Sequence, residues 1–438
     1  MTQSLPENGA RTFMTILIGQ GVSLFGNGLT GFAIAVWVYQ ETASVTMFSF
    51  VVLVTTVPGT LLSPLAGALI DRWDRRRVMI LNDTGSALCS LGIALLLLTD
   101  TFELWVIMLL LSISSCFEAF QSTAYSTIVP LLVPKNRLGN YNGLIQLSSA
   151  LPKVVAPALG GFLVVTIEMW GVILIDFFTY LVAFLTLLFV RIPKPQAAPE
   201  SEDDKQSFLQ EVASGWNYLK AHPGLTAILA LLAVTYFTIG IVNVSFPALL
   251  LGYGSATDLG TILSLAGLGF VVGSIIMSVW GGPERRIYGV IGFTLLFGLG
   301  IAAMGLFPSA VLSGIGMFVM AVSAPLLSGC AQALWQVKVP TYLQGRVFAL
   351  RDMVVRATLP LGTVIAGPLA DRLLEPLLAV DGAWAESVGE IVGVGPGRGV
   401  GLMLVIFGLL PTVAALVAFI SPRIRWVEDQ VPDALPED

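Results

Sequence analysis

Glu118 and Lys153 are the side chains best placed to do chemistry, because each is isolated in a long apolar run. Glu118 lies fourteen residues past Leu104 and Lys153 fourteen past Gly139. At 1.5 Å per helical residue both fall about 21 Å along their helices, near the middle of a bilayer. A lone charge there costs at least about 2.5–3.5 kcal/mol. The two are therefore expected to pair, or to line one water-filled cavity. A carboxylate in that setting can take up and release a proton, with an affinity that responds to the lysine and to any entering cation. A purely structural ion pair would use the same residues. Asp83, about one and a half turns into its run, reads as a partner for the nearby arginines, with proton carriage as the alternative. Asp352 lies between Arg351 and Arg356 and belongs with the same candidates.

A second constellation is Gly67-Ala-Leu-Ile-Asp71-Arg72-Trp-Asp74-Arg75-Arg76-Arg77. Asp71 closes an apolar run, where a helix C-terminus disfavours a carboxylate. It needs an arginine or the N-terminus of another helix. The run beginning near Arg346 and carrying Arg351 offers both. Gly67, Asp71, Arg72, Arg75, Arg76, Arg346 and Arg351 are read together as a conformational lock.

The elements that position these residues follow from composition. Of 438 residues 55% are hydrophobic and 11% charged, and the mean hydropathy is +0.86. Soluble domains carry about 25% charge, so the chain is expected to be an all-α integral membrane protein. Twelve runs are long enough to span: about 13–39, 46–70, 77–99, 103–130, 139–166, 171–190, 223–251, 258–280, 287–306, 309–337, 346–371 and 399–421. The ten-residue alternation of membrane β-strands is absent. With the N-terminus inside, seventeen of the 22 Lys and Arg fall on the inner side, two outside and three within spans. The basic excess therefore places both termini in the cytoplasm of a cell (inner or plasma) membrane. No cleavable signal is read at the N-terminus.

Polar residues within spans usually face the bundle or a cavity. Gln20, Ser23 and Asn27 in span 1, Tyr236 and Asn243 in span 7, Gln332 and Trp335 in span 10, and Arg356 in span 11 are the cavity candidates. Helix–helix adhesion is the competing role for them. Asp176 is placed near the outer end of span 6, where it can reach the interface, and Glu168 in the preceding turn. The Glu41–Ser44 connection is long enough only to turn. Cys89, Cys116 and Cys330 all sit in apolar runs and read as small core residues. The single His222 precedes Pro223, and no nucleophile or metal-ligand cluster is in view. An enzyme, a metal, a cofactor and nucleic-acid binding are accordingly not expected.

Residues 192–222 form a polar inner linker in which Phe208, Val212, Trp216 and Leu219 recur at helical spacing. It divides the chain into 1–191 and 223–438, six spans each. Leu151-Pro152 echoes Leu359-Pro360, and Val129-Pro130 echoes Val339-Pro340. These offsets of 208 and 210 suggest duplicated, pseudo-symmetric six-helix bundles. The turn Gly281-Gly-Pro-Glu-Arg-Arg286 lacks a counterpart of Asp71. The outer loop 372–398 is long and, with Asp371, acidic.

Twelve spans, the six-plus-six division and Gly67-x-Leu-x-Asp71-Arg72-x-x-Arg75-Arg76 together resemble the major facilitator superfamily, with Asp74 where Gly is more usual. More narrowly, several segments are similar to the macrolide-efflux and enterobactin-exporter branch of drug:proton antiporters. These are Gly19-Gln-Gly-Val-Ser-Leu24, Val133-Pro134 before Arg137-Leu138, Gly215-x-x-Tyr-Leu-x-x-His-Pro223, Gly345-Arg-Val-Phe348 and Gly367-Pro-Leu-Ala-Asp-Arg372. The resemblance implies a monomeric, proton-coupled exporter of a hydrophobic or amphipathic small molecule that works by alternating access. It also implies that Asp71 stabilises one state by contacting the start of helix 11. A siderophore or lysophospholipid carrier is the alternative, and a non-transporting sensor or scaffold a remote one. Many such antiporters carry a helix 4 arginine tied to coupling. Span 4 has none here, which leaves Glu118, modulated by Lys153.

Overall fold

The computed structural model describes residues 9–70, 73–99, 103–132, 138–190 and 216–433. Its long helices are α1 (Gly9–Thr42), α2 (Val45–Ile70), α3 (Arg75–Leu98) and α4 (Leu104–Leu132), then a continuous segment Leu138–Phe189. After the linker come α7 (Pro223–Tyr253), α8 (Ala256–Trp280), α9 (Arg286–Leu306), α10 (Ala310–Lys338), α11 (Thr341–Leu369) and α12 (Arg398–Ile420). The 52-residue segment would extend about 78 Å, more than twice a hydrocarbon core. Glu168 breaks it at φ 59° and ψ 175°, which makes two crossings, α5 (138–167) and α6 (169–189). Among the described residues eleven apolar helical stretches are long enough to span, and with this one divided they suffice for twelve passes.

Two details move boundaries. α11 begins at Thr341 behind Pro340, whose fixed φ suits a helix start. Arg346 therefore lies in the second turn instead of at the helix start. Asp74, the departure from the usual glycine, is the N-cap of α3: its carboxylate accepts the amides of Arg76 at 3.1 Å and Arg77 at 3.3 Å.

The helices form two compact units. The first contains α1, α2 from Phe50, α3 to α6, and the opening of α8 (Ala256–Ser264). Backbone contact explains that last inclusion. A Cβ on Gly260 would lie 2.2 Å from the Pro157 carbonyl oxygen, and one on Gly161 2.7 Å from that of Ala256. The Ala158 amide also donates to Ser264 Oγ at 3.0 Å. The second unit holds Ser44–Ser49, α7, the rest of α8 and α9 to α12. Its core packs Trp335, fully buried, with Leu219, Ile228, Ile291, Leu334 and Val427.

The C-terminal segment is part of that second unit. Buried Lys338 donates to the Val431 carbonyl at 2.7 Å and also to the Glu428 carbonyl and Asp433. The Glu428 carboxylate accepts the Arg286 amide at 2.8 Å, and Asp429 pairs with Arg285 at 3.2 Å. The C-terminal segment thus supplies a carboxylate to the first amide of α9.

Candidate functional site

A cavity of about 370 Å³ opens inside the first unit. Five helices build it, α5 through Ile145 and Ser149 and the other four through polar residues that recur at helical spacing on α1, α3 and α4. α1 gives Gln20, Ser23 and Asn27; α3 gives Asp83 and Ser86; α4 gives Glu118, Gln121, Ser122 and Tyr125; α6 gives Tyr180. On α1, α3 and α4 these residues recur every three to four positions, so each of the three turns a wet stripe inward.

The stripes are joined by hydrogen bonds. Asp83, 2% exposed, accepts from Gln20 Nε2 at 3.0 Å and from Gln121 Nε2 at 2.9 Å. Gln121 also reaches Gln20 Oε1 at 2.8 Å. The Tyr180 hydroxyl donates to Asn27 Oδ1. Behind this layer Asp176, 1% exposed, accepts from Ser90 Oγ at 2.8 Å. Glu118 differs from both aspartates. Its side chain is open to the cavity, and it lies close enough to Asp176 for their charges to repel.

Three carboxylates therefore share one apolar bundle. Among the described residues no Lys or Arg pairs with any of them; the ion pairs lie in the second unit. Gln121 Oε1 and the Tyr125 hydroxyl are buried without a hydrogen-bond partner, and both residues line the cavity. Chemically, the site offers proton acceptors, a stabilising field for a cation and unspent hydrogen-bonding groups beside apolar walls.

The structure brings Gln20, Asn27, Asp83 and Glu118 together. Asp83 does not meet the arginines, because the glutamines already occupy both of its oxygens. Arg76 instead donates to the carbonyls of Leu187 at 2.8 Å and Leu188 at 2.9 Å, closing the C-terminus of α6. Lys153 is exposed on α5, lines no part of this cavity and forms no ion pair with Glu118. In the second unit Arg351 pairs with Asp352 at 2.9 Å, bonds Gln332 Oε1 at 2.6 Å and lies over Phe348. Tyr236 packs on the core and Asn243 is exposed. Trp335 is fully buried, a core position rather than a cavity wall. Asp71 and Arg72 lie outside the described residues, as do the side chains of Arg346 and Arg356. Gly67 and Arg75 fall within α2 and α3.

Sequence reasoning passed over Gln121, Tyr125 and Tyr180, and it let Asp176 reach the interface, whereas Asp176 is buried and held by Ser90. The signal was available: Gln20-Ser23-Asn27, Asp83-Ser86-Ser90 and Glu118-Gln121-Tyr125 each follow an i, i+3, i+7 pattern. It also passed over Asp371. The Glu41–Ser44 connection does more than turn, because Asp371 accepts the Ser44 hydroxyl at 2.6 Å and the amides of Val45 at 3.0 Å and Thr46 at 2.8 Å. It caps α2 from the end of α11, where the backbone passes into a π-helical turn, Ala370–Leu374. Gly367 permits the approach, since a Cβ there would lie 2.5 Å from Thr46 Cα. Gly367-Pro-Leu-Ala-Asp-Arg372 repeats the spacing of Gly67-Ala-Leu-Ile-Asp-Arg72.

The Major Facilitator Superfamily pattern matches residues 16–363. Macrolide efflux protein A of Streptococcus pyogenes is 30% identical over 376 residues, covering 84% of this chain and 91% of that protein. Enterobactin exporter EntS of Shigella boydii serotype 18 is 25% identical over 341 residues, covering 77% and 80%. Among solved structures, an inward-facing bacterial homolog of the human lysosomal transporter Spinster aligns with a TM-score of 0.72. It is 14% identical and the alignment covers 98% of this chain and 99% of that one, a likeness of fold.

Proposed function

Because the chain belongs to the Major Facilitator Superfamily, we propose that it exports a hydrophobic or amphipathic small molecule by alternating access, driven by inward proton flow. The observation that carries this reading is the cavity-facing Glu118 beside buried Asp83 and Asp176, with no described cation to neutralise them. A proton or a cationic cargo relieves the same repulsion, so the two compete for one site, which is the requirement for antiport. Electrostatic complementarity then favours a weakly basic or neutral cargo over an anionic one. Similarity to an enterobactin exporter supports a siderophore as the second reading.

The further parts of the proposal are a monomer in the cell (inner or plasma) membrane with both termini cytoplasmic, supported by the basic-residue asymmetry. The lock group around Asp71, with Arg346 and Arg351, stays within the proposal. Proteoliposomes with an imposed pH gradient test the coupling. Accumulation of a weakly basic dye or macrolide should follow the gradient and collapse when a protonophore is added. Accumulation that ignores the gradient would remove proton coupling from the reading.

A further inference from the structure

A second hollow, of about 540 Å³, lies between α3 and α4 and shares no lining residue with the polar cavity. Its walls are Trp73, Val78, Leu81, Phe117 and Phe120. Trp73 stacks on Phe120 with ring centroids 6.5 Å apart. Leu81 is 66% exposed and Trp73 49%, so the hollow opens sideways toward lipid. Arg77 stands at the end nearest the basic cluster, exposed and without a carboxylate partner among the described residues. Asp74 shares that end, but its carboxylate is engaged as the α3 cap.

One atom indicates a ligand. Asn82 lines the hollow and is 5% exposed, yet its Nδ2 has no hydrogen-bond acceptor. A buried amide donor is normally satisfied. A guanidinium at the mouth, an unspent donor deeper in and aromatic and aliphatic walls between them make an amphipathic receptor. The rise from Arg77 to Asn82 is about 7.5 Å along α3, the scale that separates a phosphate from acyl esters.

We propose that this hollow binds an anionic glycerophospholipid: Arg77 takes the phosphate, Asn82 Nδ2 donates to an ester carbonyl, and an acyl chain lies along Leu81 and Phe117. The exposed guanidinium beside further arginines favours an anionic headgroup over a zwitterionic one. Asn82 adjoins Asp83 in sequence, so an occupant here buttresses the helix that carries a cavity carboxylate.

Cys116 lines the same hollow and is half-buried, whereas Cys89 and Cys330 are buried, which supplies a reporter. The full chain is placed in nanodiscs of phosphatidylcholine alone or with phosphatidylglycerol, and alkylation of Cys116 by N-ethylmaleimide is timed by mass spectrometry. Phosphatidylglycerol should slow alkylation several-fold, and Arg77→Gln, a surface change, should abolish that protection. Native mass spectra should show wild type retaining one more phosphatidylglycerol than Arg77→Gln. Equal alkylation in both lipids, protection that survives Arg77→Gln, or equal protection by phosphatidylethanolamine would each overturn the assignment.

Discussion

Gln121 Nε2 lies 2.9 Å from Asp83 Oδ1 and donates to it, so an amide on α4 holds a carboxylate on α3 that is 2% exposed. The same nitrogen reaches Gln20 on α1. Gln121→Leu keeps the approximate volume but withdraws a donor from a buried acceptor, a loss of about 1–3 kcal/mol. Thermal unfolding of the detergent-solubilised protein should begin at a lower temperature in the variant. Gln121→Leu/Asp83→Leu should recover part of the loss, since the bereft carboxylate is then gone. A single variant as stable as wild type would show that the triangle contributes nothing.

Glu118 faces the cavity while Asp83 and Asp176 sit behind hydrogen bonds, so in the proposed coupling Glu118 is the group that exchanges protons with water. Glu118→Gln should lower gradient-driven accumulation by roughly tenfold or more, a transition-state loss of about 1.4 kcal/mol. Gradient-free exchange of labelled for unlabelled cargo should persist. Loss of both activities would instead mark Glu118 as a cargo contact.

The twelve crossings were legible because each needs only a long apolar run. Counting along each helix gives a residue's depth, and Glu118 does line the cavity. What depth does not contain is azimuth. Lys153 shares Glu118's depth yet projects elsewhere, and Trp335 looked like a cavity aromatic while filling a core. Asp83 seemed destined for arginine because charge attraction was weighed without the two glutamines, which become neighbours only through packing of α1 and α4 on α3. The arrangement expected of Asp71, a carboxylate at one helix's end met by the start of another, is present at Asp371, which accepts the amides of α2.

Asp371 supplies a foreign N-cap to α2 through three hydrogen bonds. Replacing an N-cap acceptor by Ala costs about 0.5–2 kcal/mol. Asp371→Ala should speed amide hydrogen exchange in a peptide covering 44–49 by roughly two- to thirtyfold, leaving α9 unchanged. Uniform acceleration across the chain would mean global destabilisation and no local cap.

The C-terminal segment carries a pH signature. Burial pushes the Glu428 carboxyl above its ordinary value, against the lowering pull of the Arg286 amide and Lys338, and its Oε2 lacks a partner. The folded state therefore holds this proton more tightly than the unfolded chain. The stability it confers is fully present below the ordinary glutamate range and is lost as pH rises through the raised value. Glu428→Gln, which keeps the acceptor for Arg286, should flatten that part of the curve of melting temperature against pH. An unchanged curve would show that the carboxyl titrates alike in both states.

Every residue lining the polar cavity lies between Gln20 and Tyr180, ahead of the linker. The coupling proposed for this carrier is thus written in one contiguous stretch of coding sequence. Recombination within the linker can pass it whole to another second half, and a chimera made there should inherit its response to acid from the first parent. Substitutions after residue 223 can then diversify without rewriting the carboxylate cluster.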